Sequence, residues 1–203
     1  MIFKYPKHFT HPKDEPCFFM GNIETWDNFF SEIKNKPNVS LEIGALYGGS
    51  SVYILEEFCR LEGSHHYIMD INTNEYLENN LKPYENKVTF MKGESADMFK
   101  KLEHNGLSKE FLDLIYIDGN HMSKYVLEDA VNSFYYLKND GYIIFDDYLG
   151  GLEQEKHMQV KTGVDAFYHA YEKYVDAVYN GYQVIMKKKS YENINELKAN
   201  YYK

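Results

Sequence analysis

From residue 39 to residue 173, short apolar runs rich in β-branched residues alternate with longer amphipathic ones, and that alternation constrains the fold more than any other feature of the chain. The short runs read as strands at 39–43, 66–70, 88–92, 112–117 and 142–145. Helices are expected at about 50–61, weakly in the seventies, then at 96–104, 121–137 and 162–173. Such alternation makes a parallel sheet with helices on both faces. "VDAVYNGYQVIMKK", residues 175–188, breaks the pattern. Its two strand-like runs meet at Asn180-Gly181, a pair suited to the tight turn of a hairpin. The expectation is therefore an α/β fold: a Rossmann-like, seven-stranded, mostly parallel sheet with an antiparallel C-terminal hairpin strand.

A length of 203 residues suits one domain with a full core. The candidate core is the aliphatic set Val39, Leu41, Ile43, Val52, Leu55, Ile68, Leu114, Ile115, Ile117, Ile143 and Ile144. Residues 1–38 read as an N-terminal helical or lid segment, 39–190 as the main domain and 191–203 as a tail. In the first, "TWDNFFSEI" sets Trp26, Phe29, Phe30 and Ile33 at helical spacing with Thr25 as N-cap. Along the longest helix Met122, Val126, Ala130, Phe134 and Leu137 form one stripe, and "TGVD" at 162–165 is a capping-box candidate for the last helix.

Open α/β sheets bind ligands at the carboxyl ends of their strands, so the polar residues there carry the functional argument. After the first strand, "EIGALYGGSS" offers Gly44, Gly48 and Gly49 for a tight turn, and Ser50 or Ser51 to cap the following helix. It is not a GxGxxG fingerprint, and a plain strand-to-helix turn explains it as well. Asp70 ends the second strand, where a carboxylate can accept both hydroxyls of a ribose. Glu94 and Ser95 follow the third strand, although capping the next helix is the simpler role for Ser95 alone. Together the three loops suit a nucleoside-type cofactor. The fourth strand delivers "IYIDGNH" and the fifth "YIIFDDY", so Asp118, Asp146 and Asp147 converge at one sheet edge if the two strands are neighbours. Three ionised carboxylates tolerate one another around a cation, and oxygen ligands select a hard one: Mg²⁺, with Mn²⁺ or Ca²⁺ open. The competing reading has Asp118 capping the next helix and the Asp-Asp pair on a loop surface.

These stretches resemble the class I S-adenosylmethionine (SAM)-dependent methyltransferases, and more narrowly the cation-dependent, macrocin-type small-molecule O-methyltransferases. "VSLEIGALYGGSS" is similar to their first motif, "YIMD" to their ribose-binding strand end, and "IYIDGNH…GYIIFDDY" to their metal-binding half, over about residues 38–188. The resemblance implies a methyl transfer from SAM to a hydroxyl of a small molecule, sugar or polyketide or phenol-like. It implies Asp118, Asp146 and Asp147 as metal ligands and His121 as the base, with Asp118 also counted as catalytic. Glu42, Gly44, Tyr47, Ser50, Asp70, Glu94 and Ser95 would hold the cofactor. The aromatics at 18, 19, 26, 29 and 30, with Tyr148, are offered as walls of an acceptor pocket, with core packing as the alternative. Catechol-type relatives have a lysine where His121 stands and an Asp-Asn pair in place of Asp146-Asp147, so the chain departs from them.

Charge narrows the partners. A net charge of -9 and a pI near 5.4 argue against nucleic acid or an anionic membrane and leave small molecules, with a homo-oligomer open. Cys17 and Cys59 form no CxxC pair, and "MIFKYPKHFTHPK" lacks the apolar core of a secretory signal, so a reducing, cytoplasmic setting is expected. Two rival functions remain: a nucleotide-binding Rossmann-like oxidoreductase, against which the missing GxGxxG speaks, and a catalytically silent binding module on the same fold.

Overall fold

The computed structural model describes residues 3–31, 33–104 and 109–190, so the expected tail at 191–203 lies outside the described residues. Seven strands make one sheet: β1 (Val39–Ile43), β2 (His65–Asp70), β3 (Val88–Lys92), β4 (Leu112–Ile117), β5 (Leu137–Phe145), β6 (Val175–Asn180) and β7 (Val184–Lys188). Their order is β3-β2-β1-β4-β5-β7-β6. Flanking helices are α1 (Ile23–Phe29), α2 (Gly49–Glu57), α3 (Glu75–Leu81), α4 (Ser95–His104), α5 (Ser123–Tyr136) and α6 (Val160–Tyr171). The expected α/β fold, with its antiparallel C-terminal strands, is the one observed. No helix among the described residues is long and apolar enough to cross a membrane. The chain divides into two compact units at Met98/Phe99.

In the first unit β1, β2 and β3 pair in parallel, with Ile43 beside Met69 and Asp70 beside Lys92. The expected core residues Leu41, Ile43, Val52, Leu55 and Ile68 are buried. The N-terminal segment packs on α2. Trp26 is wholly buried and meets Phe19, Phe30, Tyr53 and Phe58 at ring-centroid distances of 4.9–6.0 Å. Lys34 joins Asp27 at 2.7 Å and Glu57 at 2.8 Å beneath that cluster. Helix α1 starts at Ile23 rather than after Thr25, because the 3₁₀ turn Phe18–Asn22 runs straight into it and the chain is already wound.

In the second unit β4 and β5 are parallel, and β7 lies antiparallel to both β5 and β6; the expected hairpin forms, but Asn180 still pairs with Val184, so the loop is 181–183 and not a two-residue turn at Asn180-Gly181. Helix α5 starts at Ser123, two residues beyond His121, and buries Val126 and Ala130 of the expected stripe. Helix α6 starts at Val160, before the "TGVD" box. Its cap position is Gln159, whose amide turns back to the carbonyls of Leu152 (3.0 Å) and Gln154 (2.6 Å). Gly163 faces α5 so closely that a Cβ there would stand 2.5 Å from the Ser123 carbonyl and 2.9 Å from Val126 Cβ. Helix propensity alone favours alanine by about 1 kcal/mol, but overpacking costs about 1–3 kcal/mol and backbone is the obstacle here. Gly163→Ala should therefore destabilise the protein, lowering the thermal midpoint by about 2–4 °C for each kcal/mol lost; an unchanged or raised midpoint would show that α6 is free to shift.

Candidate functional site

Three loops of the first unit meet at the carboxyl end of β2. Gly44 N–H donates to the Met69 carbonyl and Gly93 N–H to the Asp70 carbonyl, both at 2.9 Å. The Asp70 carboxylate accepts from Ala45 N–H at 2.9 Å on one oxygen and from Asn72 N–H at 3.0 Å on the other. Each oxygen retains a second lone-pair site, and the side chain is only half-buried, so the pair can still receive a diol. The turn into α2 needs its glycine: Gly48 caps the helix at φ +80, and a Cβ there would lie 2.9 Å from Leu77 Cδ1.

The other expected cofactor residues divide. Glu42 is wholly buried, and its carboxylate accepts from the hydroxyls of Ser50 and Ser51 and faces His66 Nε2 at 3.2 Å. Ser40 holds the opposite ring nitrogen of His66 at 2.8 Å. Glu42 thus braces the start of α2 instead of opening to solvent, and Ser50 is spent on it. Tyr47 donates to Glu15 of the N-terminal segment at 2.8 Å on the surface. Glu94 is exposed at the entry to α4, where its carbonyl accepts the amides of Asp97 and Met98. Of the aromatics offered as pocket walls, Phe19, Trp26 and Phe30 take the alternative, core packing, beside Tyr53 and Phe58. Phe18 is exposed. The Tyr148 ring is buried, with its hydroxyl held by Asp165 (2.8 Å) and Lys161.

In the second unit β4 and β5 are neighbours with Ile117 beside Phe145, so Asp118 and Asp146 leave the sheet side by side. One ligand atom each from Asp118, His121 and Asp147 lie within 4.8 Å of one another. His121 Nε2 stands 3.5 Å from Asp118 Oδ1 and 3.3 Å from Asp147 Oδ2. Asp146, expected as the third ligand, is outside that group. One of its oxygens accepts the Asp147 N–H at 2.8 Å and the other accepts the Tyr116 hydroxyl, which also reaches Asp118 at 3.2 Å. Asp118 does not cap α5; Asn120 takes the Met122 N–H instead. Tyr116, Tyr182 and His66 were missed by sequence reasoning, and only Tyr116 carried a signal, standing two residues before Asp118 and so on the same face of β4.

Charge crowding shows in the titration of the cluster. Enclosure by protein, with Asp146 and Asp147 adding to it against the His121 hydrogen bond, pushes Asp118 up to about 7. Burial likewise raises Asp146, against the Tyr116 hydrogen bond. The hydrogen bond to Asp118 raises His121, with Asp147 next among the charges behind it. Two carboxylates and an imidazole converging in this way form a donor set that fits a divalent cation of the Mg²⁺ or Mn²⁺ type.

Residues 41–148, more than half of the chain, match the family described as a methyltransferase domain. The chain belongs to that family. Solved structures agree at the level of fold. The O-methyltransferase from Bacillus cereus, in complex with SAH, aligns at a TM-score of 0.66 and 18% identity over 92% of this chain and 84% of that one. TomG from Streptomyces achromogenes, involved in tomaymycin synthesis and in complex with SAM, aligns at 0.62 and 17%, over 75% and 74%. The MycE methyltransferase of the mycinamycin biosynthetic pathway, in complex with Mg, SAH and mycinamycin VI, aligns at 0.63 and 15%. That match covers 83% of this chain and 49% of the other, so the chain spans about half the length of MycE. No curated protein matched the chain.

Crowded charge makes a prediction for the protein in chelator. Asp118→Asn removes one of three crowded carboxylates yet keeps an oxygen for Tyr116. In chelator it should stabilise the protein by about 1 kcal/mol, a rise of about 2–4 °C in the thermal midpoint. Mg²⁺ or Mn²⁺ should raise the midpoint of the parent and not of the variant. Equal responses to the ion would place its binding elsewhere.

Proposed function

We propose that the protein is a cation-dependent O-methyltransferase, moving a methyl group from SAM to a hydroxyl of a small molecule. The observation that carries this reading is the convergence of Asp118, His121 and Asp147 at the ends of β4 and β5 in a chain of the methyltransferase family. The ligands of MycE, TomG and the Bacillus enzyme support it, since each was seen with SAM or SAH and MycE also with Mg.

Bound SAM would supply a sulfonium methyl whose C–S bond breaks as the C–O bond forms, leaving S-adenosylhomocysteine and releasing the hydroxyl proton. A divalent cation would polarise the acceptor oxygen and lower its pKa. Asp70 would take the ribose hydroxyls on the free lone pairs of its carboxylate, with Leu46 and Ile71 as exposed apolar neighbours in sequence of the β1 and β2 loops. Gly44 lends a backbone turn, and Glu42 acts at one remove by fixing Ser50 and the start of α2. Tyr47, Glu94 and Ser95 border the same loops. Asp118 and Asp147 would hold the cation, with Asp146 behind them through Tyr116 and the Asp147 amide. His121 would take the proton. Its imidazole is half exposed, and a cation seated among the carboxylates would favour the neutral, proton-accepting ring. A second reading is favoured by one distance: with Nε2 within 3.5 Å of both carboxylates, His121 could serve as a ligand.

Calorimetry and single-turnover assays separate these roles. Asp70→Ala should weaken SAH binding at least about tenfold, the loss of roughly one charge-assisted hydrogen-bond pair; equal affinity would remove Asp70 from the cofactor site. His121→Ala should lower kcat by about 10²–10⁴-fold with the cation affinity nearly intact if the residue is a base. Loss of the cation in that variant would make it a ligand. Full activity of the parent in chelator would end the cation-dependent reading.

A further inference from the structure

The β5–β7 ladder runs antiparallel with Tyr142 beside Lys187 and Phe145 beside Val184. Carried two places past the last pair, the same register sets Gln183 opposite Asp146 and Tyr182 opposite Asp147. The contacts follow that register. The Tyr182 hydroxyl donates to Asp147 Oδ1 at 2.7 Å, and the Tyr182 carbonyl accepts the Tyr148 N–H at 2.9 Å. The C-terminal hairpin thus reaches Asp147, the second carboxylate of "DDY", through Tyr182.

Asp147 needs such help. It is one of the few non-glycine residues with positive φ, at +53, a left-handed conformation that aspartate tolerates at a modest cost. Its amide is tied to the Asp146 side chain and its carbonyl accepts the Gly150 N–H at 2.9 Å, so the backbone is fixed on both sides. What these bonds leave open is the rotation of the carboxylate. Oδ2 lies beside His121 and Oδ1 accepts from Tyr182, so the phenol fixes the plane in which the carboxylate turns its other oxygen to the Asp118–His121 group. Gly150 leaves room for this arrangement, a Cβ there coming within 3.3 Å of the Tyr182 hydroxyl.

We propose that Tyr182, carried by the hairpin turn, is the positioning residue for Asp147, and that the hairpin is therefore part of the cation site and not only an edge of the sheet. This rests on the cation-dependent reading above. Outer partners of this kind typically change metal affinity about 10- to 100-fold when removed. Tyr182 is half exposed, so Tyr182→Phe deletes one hydroxyl without opening a cavity.

The test is a Mn²⁺ titration of the full chain, followed by calorimetry and by electron paramagnetic resonance of the bound ion, with thermal midpoints as a check on folding. Tyr174→Phe, which alters a half-exposed tyrosine at the other end of the hairpin, serves as the control. The parent and Tyr174→Phe should bind one Mn²⁺ with the same affinity and spectrum. Tyr182→Phe should bind it about 10- to 100-fold more weakly, with an altered spectrum at saturation and an unchanged affinity for SAH. Affinity within twofold of the parent and an identical spectrum would overturn the role of Tyr182 and leave the cation reading standing. Failure of the parent itself to bind Mn²⁺ would overturn the cation reading and this proposal together.

Discussion

The parallel pairing of β4 with β5 sets the chemistry of the second unit, because Ile117 beside Phe145 forces the carboxylates of Asp118 and Asp146 to leave the sheet as neighbours, with Asp147 one residue on. Burial first, and the neighbouring charges after it, raise the pKa of Asp118 and Asp146, and hydrogen bonds work against that rise. Tyr116 reaches both Asp118 and Asp146, His121 faces both Asp118 and Asp147, and Tyr182 takes the far oxygen of Asp147. The donors named here, two phenols and an imidazole, carry no permanent charge.

The first unit solves a different problem, presenting one acceptor group at the end of β2. Here the carboxylate is not crowded. Asp70 is held by two backbone amides, Ala45 and Asn72, one on each carboxylate oxygen, which aim it. The acidic residue that does have a buried partner is Glu42, and its placement against His66, Ser50 and Ser51 makes it part of the scaffold of α2. Two carboxylates that look alike in sequence therefore do different work, and burial distinguishes them.

The strands were legible because β-branched runs bounded by turn residues leave little choice, and Asn180-Gly181 marked the hairpin although Asn180 stays in the ladder and the loop is 181–183. The glycine loop, Asp70, Asp118 and Asp147 were legible for the same reason: strand ends are read from strands. Less could be read where tertiary contacts override local signals. Helix α6 ignores its capping box because Gln159 and the close approach of Gly163 to α5 set where it begins. Adjacent residues such as Asp146 and Asp147 point to different sides of an extended chain, so spacing could not say which would face the cluster. Trp26, Phe19 and Phe30 have the same pattern whether they line a pocket or a core, and only the packing partners on α2 decide. Tyr182 was out of reach for a simpler reason: its target lies 35 residues away across a ladder whose register is a property of the folded sheet.

A single measurement reaches the central claim most directly. Crystals of the full chain grown with S-adenosylhomocysteine and Mn²⁺, with anomalous data collected on either side of the manganese edge, would locate the ion without any knowledge of the acceptor. The account predicts one anomalous peak within coordination distance, about 2.0–2.3 Å, of carboxylate oxygens of Asp118 and Asp147, with Tyr182 still hydrogen-bonded to Asp147. A bound nucleoside with no peak at those two residues, or a peak held by other groups, would contradict it.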